Sequence, residues 1–286
     1  MCAMETAADK LKLKLNALRH ILRSLNSVLV AYSGGVDSGY LAWAAHRELG
    51  DRMLAVLADS PSLARSQERD AIAFAEEHGI PLTVLNTSEL SNPDYVRNDV
   101  ARCFHCKNEL FEVMEKYRST TSFKAIAYGV NVDDEGDYRP GQRAAQQHAV
   151  AAPLLEAGLT KADIRQLAQI AGLRLWNKPA SPCLSSRIEY GRPVTLQALS
   201  AVEQGEEALR ALGFEQFRVR HHGSIVRLEI AHEELPRAMT TAMAKEFTRI
   251  FKALGFQYVT LDLEGFRSGS MNEVLPIQSL RASKVT

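Results

Sequence analysis

The chain has 286 residues, enough for one large or two modest domains with a sizeable core. Its 34 basic and 34 acidic residues cancel, so composition predicts neither a nucleic-acid partner nor an anionic membrane surface. No apolar stretch approaches the roughly 20 residues of a membrane span, and residues 1–14 lack the apolar core of a secretion signal. Four cysteines are too few for a disulfide framework, so we expect a cytoplasmic protein.

Short apolar strands alternate with helices in the first part of the chain. The strands are predicted at Ser27–Tyr32, Met53–Ala58, Leu82–Leu85 and Ala125–Gly129. The helices are predicted at Leu11–Leu25, Gly39–Leu49, Ala64–His78 and Leu159–Ala171, the last with Thr160 as its N-cap. This alternation predicts an α/β fold with a doubly wound parallel sheet. Ligands of such sheets bind at the carboxyl ends of the strands.

The pattern changes after Pro193, and we predict two domains, residues 1–192 and 193–286. The second is predicted to be a smaller αββαβ domain. Its helices are predicted at Leu196–Leu212 and Glu233–Leu254, and its strands at Phe214–His221, Ile225–Ile230 and Phe256–Leu263. Each of the two helices ends at a glycine and is followed by a strand. An internal duplication and two ordinary glycine-capped helices both explain this repeat.

The sequence Ser-Gly-Gly-Val-Asp-Ser at residues 33–38 lies between the first strand and the following helix. Gly34 and Gly35 allow a tight turn whose N–H groups, with those of the helix start, point toward an anion. Ser33 and Ser38 offer hydroxyls, and Asp37 can hold Mg²⁺ or orient a water. We predict a pyrophosphate-binding loop, with a ligand-free turn as the alternative. No Gly-Lys-Ser/Thr follows, so this is not a Walker A loop.

Three cysteines lie in suggestive surroundings. Cys103 and Cys106 form a Cys-x-x-Cys pair, and Cys183 lies in Ser-Pro-Cys-Leu-Ser-Ser-Arg at residues 181–187. A Cys-x-x-Cys pair is compatible with a redox pair, half of a zinc site, part of an iron–sulfur site, or two buried small residues. The spacing alone does not choose among them.

Arginines line one face of the predicted strands of the second domain. Arg218 and Arg220 share a face of the first strand, and Arg227 and Glu229 share a face of its partner. Such a face suits a phosphate or a carboxylate, because a guanidinium group binds two oxygens at once. A solvated face with a surface ion pair is the alternative.

The loop at residues 33–38 resembles that of the PP-loop ATP pyrophosphatases, which split ATP into AMP and pyrophosphate. Four further motifs, at residues 133–141, 177–187, 217–221 and 258–269, resemble a narrower group, the LarE-type sulfur transferases. Members of that group help to build the nickel-pincer nucleotide cofactor. The resemblance runs from the loop through Asn272, nearly the whole chain.

The resemblance implies a specific reaction. ATP adenylates a carboxylate of pyridinium-3,5-biscarboxylic acid mononucleotide, a protein-held sulfur displaces AMP, and both carboxylates become thiocarboxylates in turn. In one branch of the family a cysteine at the position of Cys183 gives up its own sulfur. In the other branch three cysteines hold a 4Fe–4S cluster, which leaves one iron without a protein ligand. Because Cys103 and Cys106 are present, we predict a cluster on Cys103, Cys106 and Cys183, with a sacrificial Cys183 as the alternative.

The resemblance also implies the roles of individual residues. The predicted ATP and Mg²⁺ site comprises Ser33, Gly34, Gly35, Asp37 and Ser38, with Ser60 and Gly129 near the nucleoside. The predicted catalytic residues are Cys183, Asp37 and Lys107, and a solvated lysine is the alternative for Lys107. The predicted substrate site comprises Ser186, Arg187, Glu206, Arg218, Arg220, Glu229 and Arg267. Asp133, Asp134 and Asp137 could bind a metal or cap a turn.

The expected partners are the nucleotide substrate, sulfide or a sulfur-donor protein, and other copies of the chain in a hexamer. Three other functions remain open. A cluster-dependent transfer-RNA thiolase would share the chemistry, an amide-forming ligase would use ammonia as the nucleophile, and a regulatory module would only bind the nucleotide. A thiolase is expected to carry an extensive basic surface, which this neutral chain does not predict.

Overall fold

The structure is a computed structural model that describes residues 6–134, 140–267 and 269–272. Its contacts divide the described chain into two units, each discontinuous in sequence. Unit 1 comprises the described parts of Met1–Ser88 and Cys103–Ser181, and unit 2 those of Glu89–Arg102 and Pro182–Thr286. The expected boundary between residues 192 and 193 falls inside the longer segment of unit 2. As a boundary between independently folding domains it stays a prediction.

The helices and strands follow one another in chain order. The helices are α1 (Ala7–Ser24), α2 (Val36–Leu49), α3 (Arg65–Glu77), α4 (Pro93–Val96), α5 (Arg102–Ser119), α6 (Pro140–Gln147), α7 (Pro153–Glu156), α8 (Lys161–Ile170), α9 (Leu196–Ala211), α10 (Leu235–Ala238) and α11 (Thr241–Ala253). The strands are β1 (Val28–Tyr32), β2 (Met53–Asp59), β3 (Leu82–Asn86), β4 (Ala125–Tyr128), β5 (Phe217–His222), β6 (Ile225–Ile230) and β7 (Tyr258–Leu261). None of the described helices is long and apolar enough to cross a bilayer.

Unit 1 contains a parallel sheet of four strands in the order β3-β2-β1-β4. Alternate residues of β1 enter two separate cores, since side chains alternate across a strand. Val28, Val30 and Tyr32 pack with residues of α1, α2, α3 and α8. Leu29 and Ala31 pack with residues of α5 and α6. Helices therefore cover both faces of the sheet, and the predicted α/β fold with a doubly wound parallel sheet is confirmed.

Unit 2 contains a three-stranded sheet in the order β5-β6-β7, antiparallel between β5 and β6 and parallel between β6 and β7. Val219 lies opposite Leu228 in the register, and both pack in a core with Phe251 of α11 and Leu209 of α9. The residues that alternate with them along the two strands therefore point to the other face of this sheet.

The long helix expected at Glu233–Leu254 is wrong, because the chain forms two helices there, α10 and α11. Thr240 takes an extended conformation, and its side chain accepts a hydrogen bond from the N–H of Met243 at 3.3 Å. Because Thr240 caps the start of α11 in this extended conformation, α10 ends before it and the two helices do not join.

Candidate functional site

The loop of residues 33–38 joins β1 to α2 at the carboxyl end of the parallel sheet in unit 1. Helix α2 begins at Val36, three residues before the expected Gly39, so Asp37 and Ser38 lie in its first turn. Gly35 is the N-cap and makes no side-chain cap, which leaves the N–H groups of the first turn available to an anion. The Ser33 and Ser38 hydroxyls lie 2.9 Å apart.

Two glycines of the candidate site are required by the packing around it. Gly34 has a φ of +68°, and a Cβ atom there would lie 2.6 Å from the Cβ of Ala71 in α3. Gly129 follows β4, and its Cβ would lie 2.7 Å from the backbone nitrogen of Ser38. Both glycines allow the loop to lie against its neighbours without a steric clash.

Asp37 is paired with a lysine that the sequence analysis missed. Its Oδ2 accepts a short hydrogen bond from the Lys161 ammonium group. Its Oδ1 is buried and has no hydrogen-bond partner within the described residues. A carboxylate oxygen with no protein partner fits the ligand chemistry of Mg²⁺, which binds through few carboxylates. The observed geometry therefore leaves Asp37 suited to the predicted metal role.

A second missed lysine reaches the loop itself. The Lys178 ammonium group donates to the Gly34 carbonyl at 3.1 Å and lies 3.8 Å from the Asp70 carboxylate. Burial lowers the pKa of Lys178, although the Asp70 charge acts in the opposite direction. A partly desolvated ammonium group binds an incoming phosphate more strongly than an exposed one does. Lys178 belongs to the motif at residues 177–187, which is the signal that could have identified it.

Ser60 lies at the end of β2 in a loop held by one arginine. Its hydroxyl accepts from the N–H of Ser62 at 3.0 Å. Arg65 donates to the Ser60 carbonyl and to the Asp59 carboxylate, each at 2.7 Å. The loop therefore has a fixed shape at the same sheet edge as residues 33–38, and the contact of Ser60 with a nucleoside stays a prediction.

The acidic turn after β4 caps backbone groups. Asp134 is buried, and its carboxylate accepts from the N–H of Asn131 at 3.0 Å. Asp133 accepts from the N–H of Lys161 at 2.7 Å. Both carboxylates thus fill the turn-capping role of the two proposed, and Asp137 lies outside the described residues.

Cys103 and Cys106 lie in the first turns of α5, three residues apart and therefore on one side of the helix. Cys103 is exposed, Cys106 is half-buried, and neither is in a disulfide. Lys107 follows on the same helix, with its Nζ 5.9 Å from the centre of the Phe111 ring. Nothing in these contacts distinguishes a catalytic Lys107 from a solvated one.

Cys183 begins a short turn in unit 2, and polar neighbours fix its position. Its sulfur lies 3.0 Å from the Ser185 hydroxyl. Its carbonyl accepts from the Ser186 hydroxyl at 2.7 Å and from the Arg187 guanidinium at 3.0 Å. Arg187 is 1% exposed and also pairs with Glu206, Nε to Oε1, at 2.9 Å. Three predicted residues, Ser186, Arg187 and Glu206, therefore form one group around Cys183.

The three cysteines have side chains of a type that binds iron. Cys103, Cys106 and Cys183 are thiols outside any disulfide, the donors that an iron–sulfur cluster requires. Within residues 6–134, 140–267 and 269–272, however, no group of three or more His, Cys, Asp or Glu side chains could hold a metal ion. The donor set has the chemistry of a cluster, and a cluster on these three cysteines stays a prediction.

The predicted arginine face is present on the sheet of unit 2. Arg218 lies opposite Glu229 in the register, and Arg220 lies opposite Arg227, so all four share one face. Arg220 donates to Glu229 at 2.8 Å, and Arg227 donates to the other oxygen of Glu229 at 3.0 Å. Burial opposes ionisation of Glu229, but these arginines and Ser270 outweigh it and lower the pKa of its carboxyl.

This face carries more positive charge than Glu229 balances. The Nε of Arg220 is buried and has no hydrogen-bond partner within the described residues. Burial, together with the charges of Arg187 and Arg220, lowers the pKa of Arg218 to about 10. The Arg218 guanidinium also stacks over the Phe266 ring at 4.9 Å. Such concentrated positive charge favours binding of an anion.

Arg267 is the predicted substrate residue least involved in this face. It pairs with Glu264 at 2.6 Å and lies 3.7 Å from Asp262. Asp262 also lies 3.6 Å from Arg227, so this carboxylate connects Arg267 to the face.

No protein-family model matches the chain. An uncharacterised protein of Synechocystis is 41% identical over 93% of this chain and 99% of its own length. The pyridinium-3,5-bisthiocarboxylic acid mononucleotide synthase of Lactiplantibacillus plantarum is 36% identical over 89% of this chain and 92% of its own. One component of the glutamine-hydrolysing GMP synthase of Methanococcus maripaludis is 28% identical over 51% of this chain and 50% of its own.

The partial match to GMP synthase agrees with a PP-loop fold for the ATP-binding part of the chain. The synthase of L. plantarum matches nearly the full length of both chains, including the region of the cysteine and arginine motifs. The chain therefore belongs to the LarE-type family of ATP-dependent sulfurtransferases, the family of this synthase.

Proposed function

We propose that this enzyme converts the carboxylates of pyridinium-3,5-biscarboxylic acid mononucleotide into thiocarboxylates during synthesis of the nickel-pincer nucleotide cofactor. The observation that carries the proposal is the near full-length relative whose name gives this bisthiocarboxylic product. The geometry of both units supports it, because unit 1 has uncapped N–H groups and lysines at the loop of residues 33–38, and unit 2 has the arginine face and Cys183.

Unit 1 supports the adenylation step. A substrate carboxylate oxygen attacks the α-phosphorus of ATP, and the bond to pyrophosphate breaks. The N–H groups at the start of α2 and the ammonium group of Lys178 would stabilise the charge that develops on the departing pyrophosphate. Asp37 would hold Mg²⁺ through the oxygen that Lys161 does not occupy, and the metal would neutralise phosphate charge.

Unit 2 supports binding of the substrate phosphate. Arg218 and Arg220 would bind the phosphate oxygens, because their guanidinium groups lie on one face of the sheet and each can donate to two oxygens. Arg267 would lie beside this face, 3.7 Å from the Asp262 carboxylate, which is itself 3.6 Å from Arg227. Ser186, Arg187 and Glu206 would hold the Cys183 segment in place.

The cysteines of the chain are compatible with two sources of the transferred sulfur. We propose that Cys103, Cys106 and Cys183 hold a 4Fe–4S cluster, which when bound would present exogenous sulfide for transfer. The alternative is a sacrificial Cys183, in which the Cβ–Sγ bond breaks and dehydroalanine remains. In both cases the transferred sulfur replaces AMP on the adenylated carboxylate, and AMP leaves.

One anaerobic experiment tests reaction and sulfur source together. Reconstituted protein is given ATP, sulfide and the biscarboxylic mononucleotide, and product mass, turnover number and protein mass are measured. Many turnovers with about four iron atoms per chain and an unchanged protein mass would support the cluster. One turnover or fewer, with loss of H₂S from the peptide containing Cys183, would support the sacrificial route. If the protein forms no thiocarboxylate at all, the proposed function is refuted.

Cys103→Ser and Cys106→Ser separate the two routes further. Under the cluster proposal both variants lose iron and repeated turnover. Under the sacrificial route both retain the single turnover of the natural protein.

An amide-forming ligase is the second candidate, favoured by the partial match to GMP synthase. Ammonia would then displace AMP, and no cysteine would take part. Cys183→Ala should retain its activity in that case and lose it under the proposed function. Replacing sulfide with ammonium in the same assay gives the complementary test.

We further propose, from the family resemblance, that the chain assembles as a hexamer through residues 193–286 and works in the reducing cytoplasm. Thiols outside disulfides agree with a reducing compartment. Light scattering of the purified protein tests the hexamer directly.

A further inference from the structure

A buried asparagine organises the chain after Cys183. Asn98 is fully buried, and its amide nitrogen donates to the carbonyls of Glu189 and Arg192, each at 2.9 Å. The backbone carbonyl of Asn98 accepts a hydrogen bond from the N–H of Gly191 at 3.0 Å. Residues 189–192 are thus closed onto a segment that lies about ninety positions earlier in the sequence.

Arg102 extends this network toward the cysteine. Its Nη1 donates to the Asn98 side-chain oxygen at 2.5 Å and to the Ser185 carbonyl at 2.9 Å. Arg102 is 5% exposed, and its guanidinium lies 5.6 Å from the centre of the Tyr190 ring. A buried guanidinium loses its hydration, so it is tolerated only where such acceptors are fixed in place.

Ser185 connects Arg102 to the sulfur. The Ser185 side chain is buried, and its hydroxyl lies 3.0 Å from the Cys183 sulfur, while its carbonyl accepts from Arg102. On the other side of the same turn, Arg187 holds the Cys183 carbonyl at 3.0 Å. The backbone around Cys183 is therefore fixed at two points by two buried guanidinium groups.

We propose that Arg102 is a positioning residue for sulfur transfer: it holds Ser185, whose hydroxyl in turn sets the direction of the Cys183 sulfur. The inference rests on the proposed function and adds two residues, Arg102 and Ser185, to the set of residues that serve the cysteine. The transferred sulfur must meet the adenylated carboxylate in one orientation, and Cys183 either supplies this sulfur or holds the cluster that would present it. A small displacement of its Sγ therefore slows transfer strongly. Adenylation involves no sulfur and does not depend on this network.

The test compares two reactions in the same variants. Arg102→Met removes the guanidinium and keeps most of the side-chain volume, and Ser185→Ala removes only the hydroxyl. Thiocarboxylate formation is measured with ATP, sulfide and the biscarboxylic mononucleotide, and adenylation is measured as substrate-dependent exchange of labelled pyrophosphate into ATP. We expect product formation to fall about tenfold or more in both variants, with exchange within about twofold of the natural protein.

Arg237→Met is a matched control. Like Arg102, Arg237 donates to two oxygens and lies over an aromatic ring: it donates to the backbone carbonyls of Leu212 and Gly213 at 2.8 Å each, and its guanidinium lies 3.8 Å from the centre of the Phe214 ring. It serves neither Cys183 nor the arginine face, so this variant should keep both reactions. Arg102→Lys, which retains the charge and can reach one acceptor, should recover part of the product formation lost in Arg102→Met.

A third readout needs no substrate. In protein before cluster reconstitution, the rate at which iodoacetamide alkylates Cys183, followed on its peptide by mass spectrometry, should change in Arg102→Met and Ser185→Ala but not in Arg237→Met. This separates a displaced sulfur from a general loss of activity.

The outcomes separate the inference from the proposed function. If the natural protein forms no thiocarboxylate, the proposed function fails. If it does, and both variants form product at the natural rate, the inference is wrong. A parallel loss of exchange and product would also overturn it, because it would show a merely structural role. If Arg102→Met does not fold, as judged by its thermal transition, Ser185→Ala decides alone.

Discussion

Lys161 and Lys178 bring two positive charges to the loop of residues 33–38 without being part of it in sequence. Lys161 neutralises one oxygen of Asp37, and Lys178 donates to the Gly34 carbonyl. These contacts hold the loop against the segments that carry the two lysines. When phosphate enters, Lys178 can exchange a neutral carbonyl for an anionic oxygen, which is a much stronger partner. Lys161 therefore balances the charge of Asp37, whereas Lys178 is placed to bind an incoming phosphate.

Lys178→Met should weaken ATP binding. A hydrogen bond between charged groups contributes about 1.5–3 kcal/mol, so the KM for ATP should rise about tenfold to a hundredfold. The KM for the mononucleotide should stay within about twofold, because Lys178 contacts the phosphate loop and not the arginine face. Initial rates of pyrophosphate release measure both constants. Lys12→Met, which alters an exposed lysine of α1, is the control, and an unchanged KM for ATP in Lys178→Met would contradict the assignment.

Glu229 predicts a pH dependence of stability. Its folded-state pKa lies below the ordinary value of 4.5, so its ionised form stabilises the folded state above that pH. This stabilisation is lost as the pH falls through the folded-state pKa. Glu229→Gln should therefore lower the Tm clearly at pH 7, and the difference from the natural protein should shrink below about pH 4. Thermal unfolding at several pH values measures this, and a constant difference would disprove the pairing with Arg220 and Arg227.

At the scale of elements, the patterns predicted strands well and helix ends less well. The four strands of unit 1 differ from their predicted bounds by at most one residue at each end, because each is a short, mostly apolar run bounded by polar residues or turns. Helix α2 begins earlier than expected because Gly35 serves as the N-cap with an extended conformation. The helical spacing of apolar residues also continues across Thr240, so the sequence predicted a single helix there. In the structure Thr240 caps the start of α11 and separates it from α10.

Gly129→Ala should distort the junction between β4 and α2. The added methyl group would lie 2.7 Å and 2.9 Å from the N and Cα atoms of Ser38, which are backbone atoms and cannot rotate away. Such overpacking costs about 1–3 kcal/mol of unfolding free energy and should displace the phosphate loop. We expect a lower Tm and a higher KM for ATP, measured by thermal unfolding and pyrophosphate release.

Gly39→Ala is the matched control for this junction. Its added methyl group would meet the Cδ2 of Leu175, 2.6 Å away, and that end of a side chain can turn aside. Alanine also has a higher helix propensity than glycine within α2. Equal losses in both variants would show that the clash with Ser38 has no special effect on the loop.

At the scale of the whole molecule, local patterns predicted where residues 33–38 lie and which arginines share a face, but not the membership of the two units. The first two follow from the strand–turn–helix order and from the alternation of side chains along a strand. Residues 89–102 join residues 182–286 through long-range hydrogen bonds such as that of Asn98 with Arg192, which no local pattern reveals. Lys161 was missed for the same reason, whereas Lys178 lies in the motif at residues 177–187.

The balance of charge over the whole chain separates the proposed substrate from transfer RNA. A protein that binds RNA through its backbone must neutralise many phosphates, and this chain has 34 basic against 34 acidic residues. Its clustered arginines are partly neutralised by Glu206 and Glu229, and the proposed function requires them to bind only one phosphate group. We expect no saturable binding of fluorescently labelled transfer RNA below about 10 µM protein at about 150 mM salt. Saturable binding that weakens as salt rises would instead favour RNA as the sulfur acceptor.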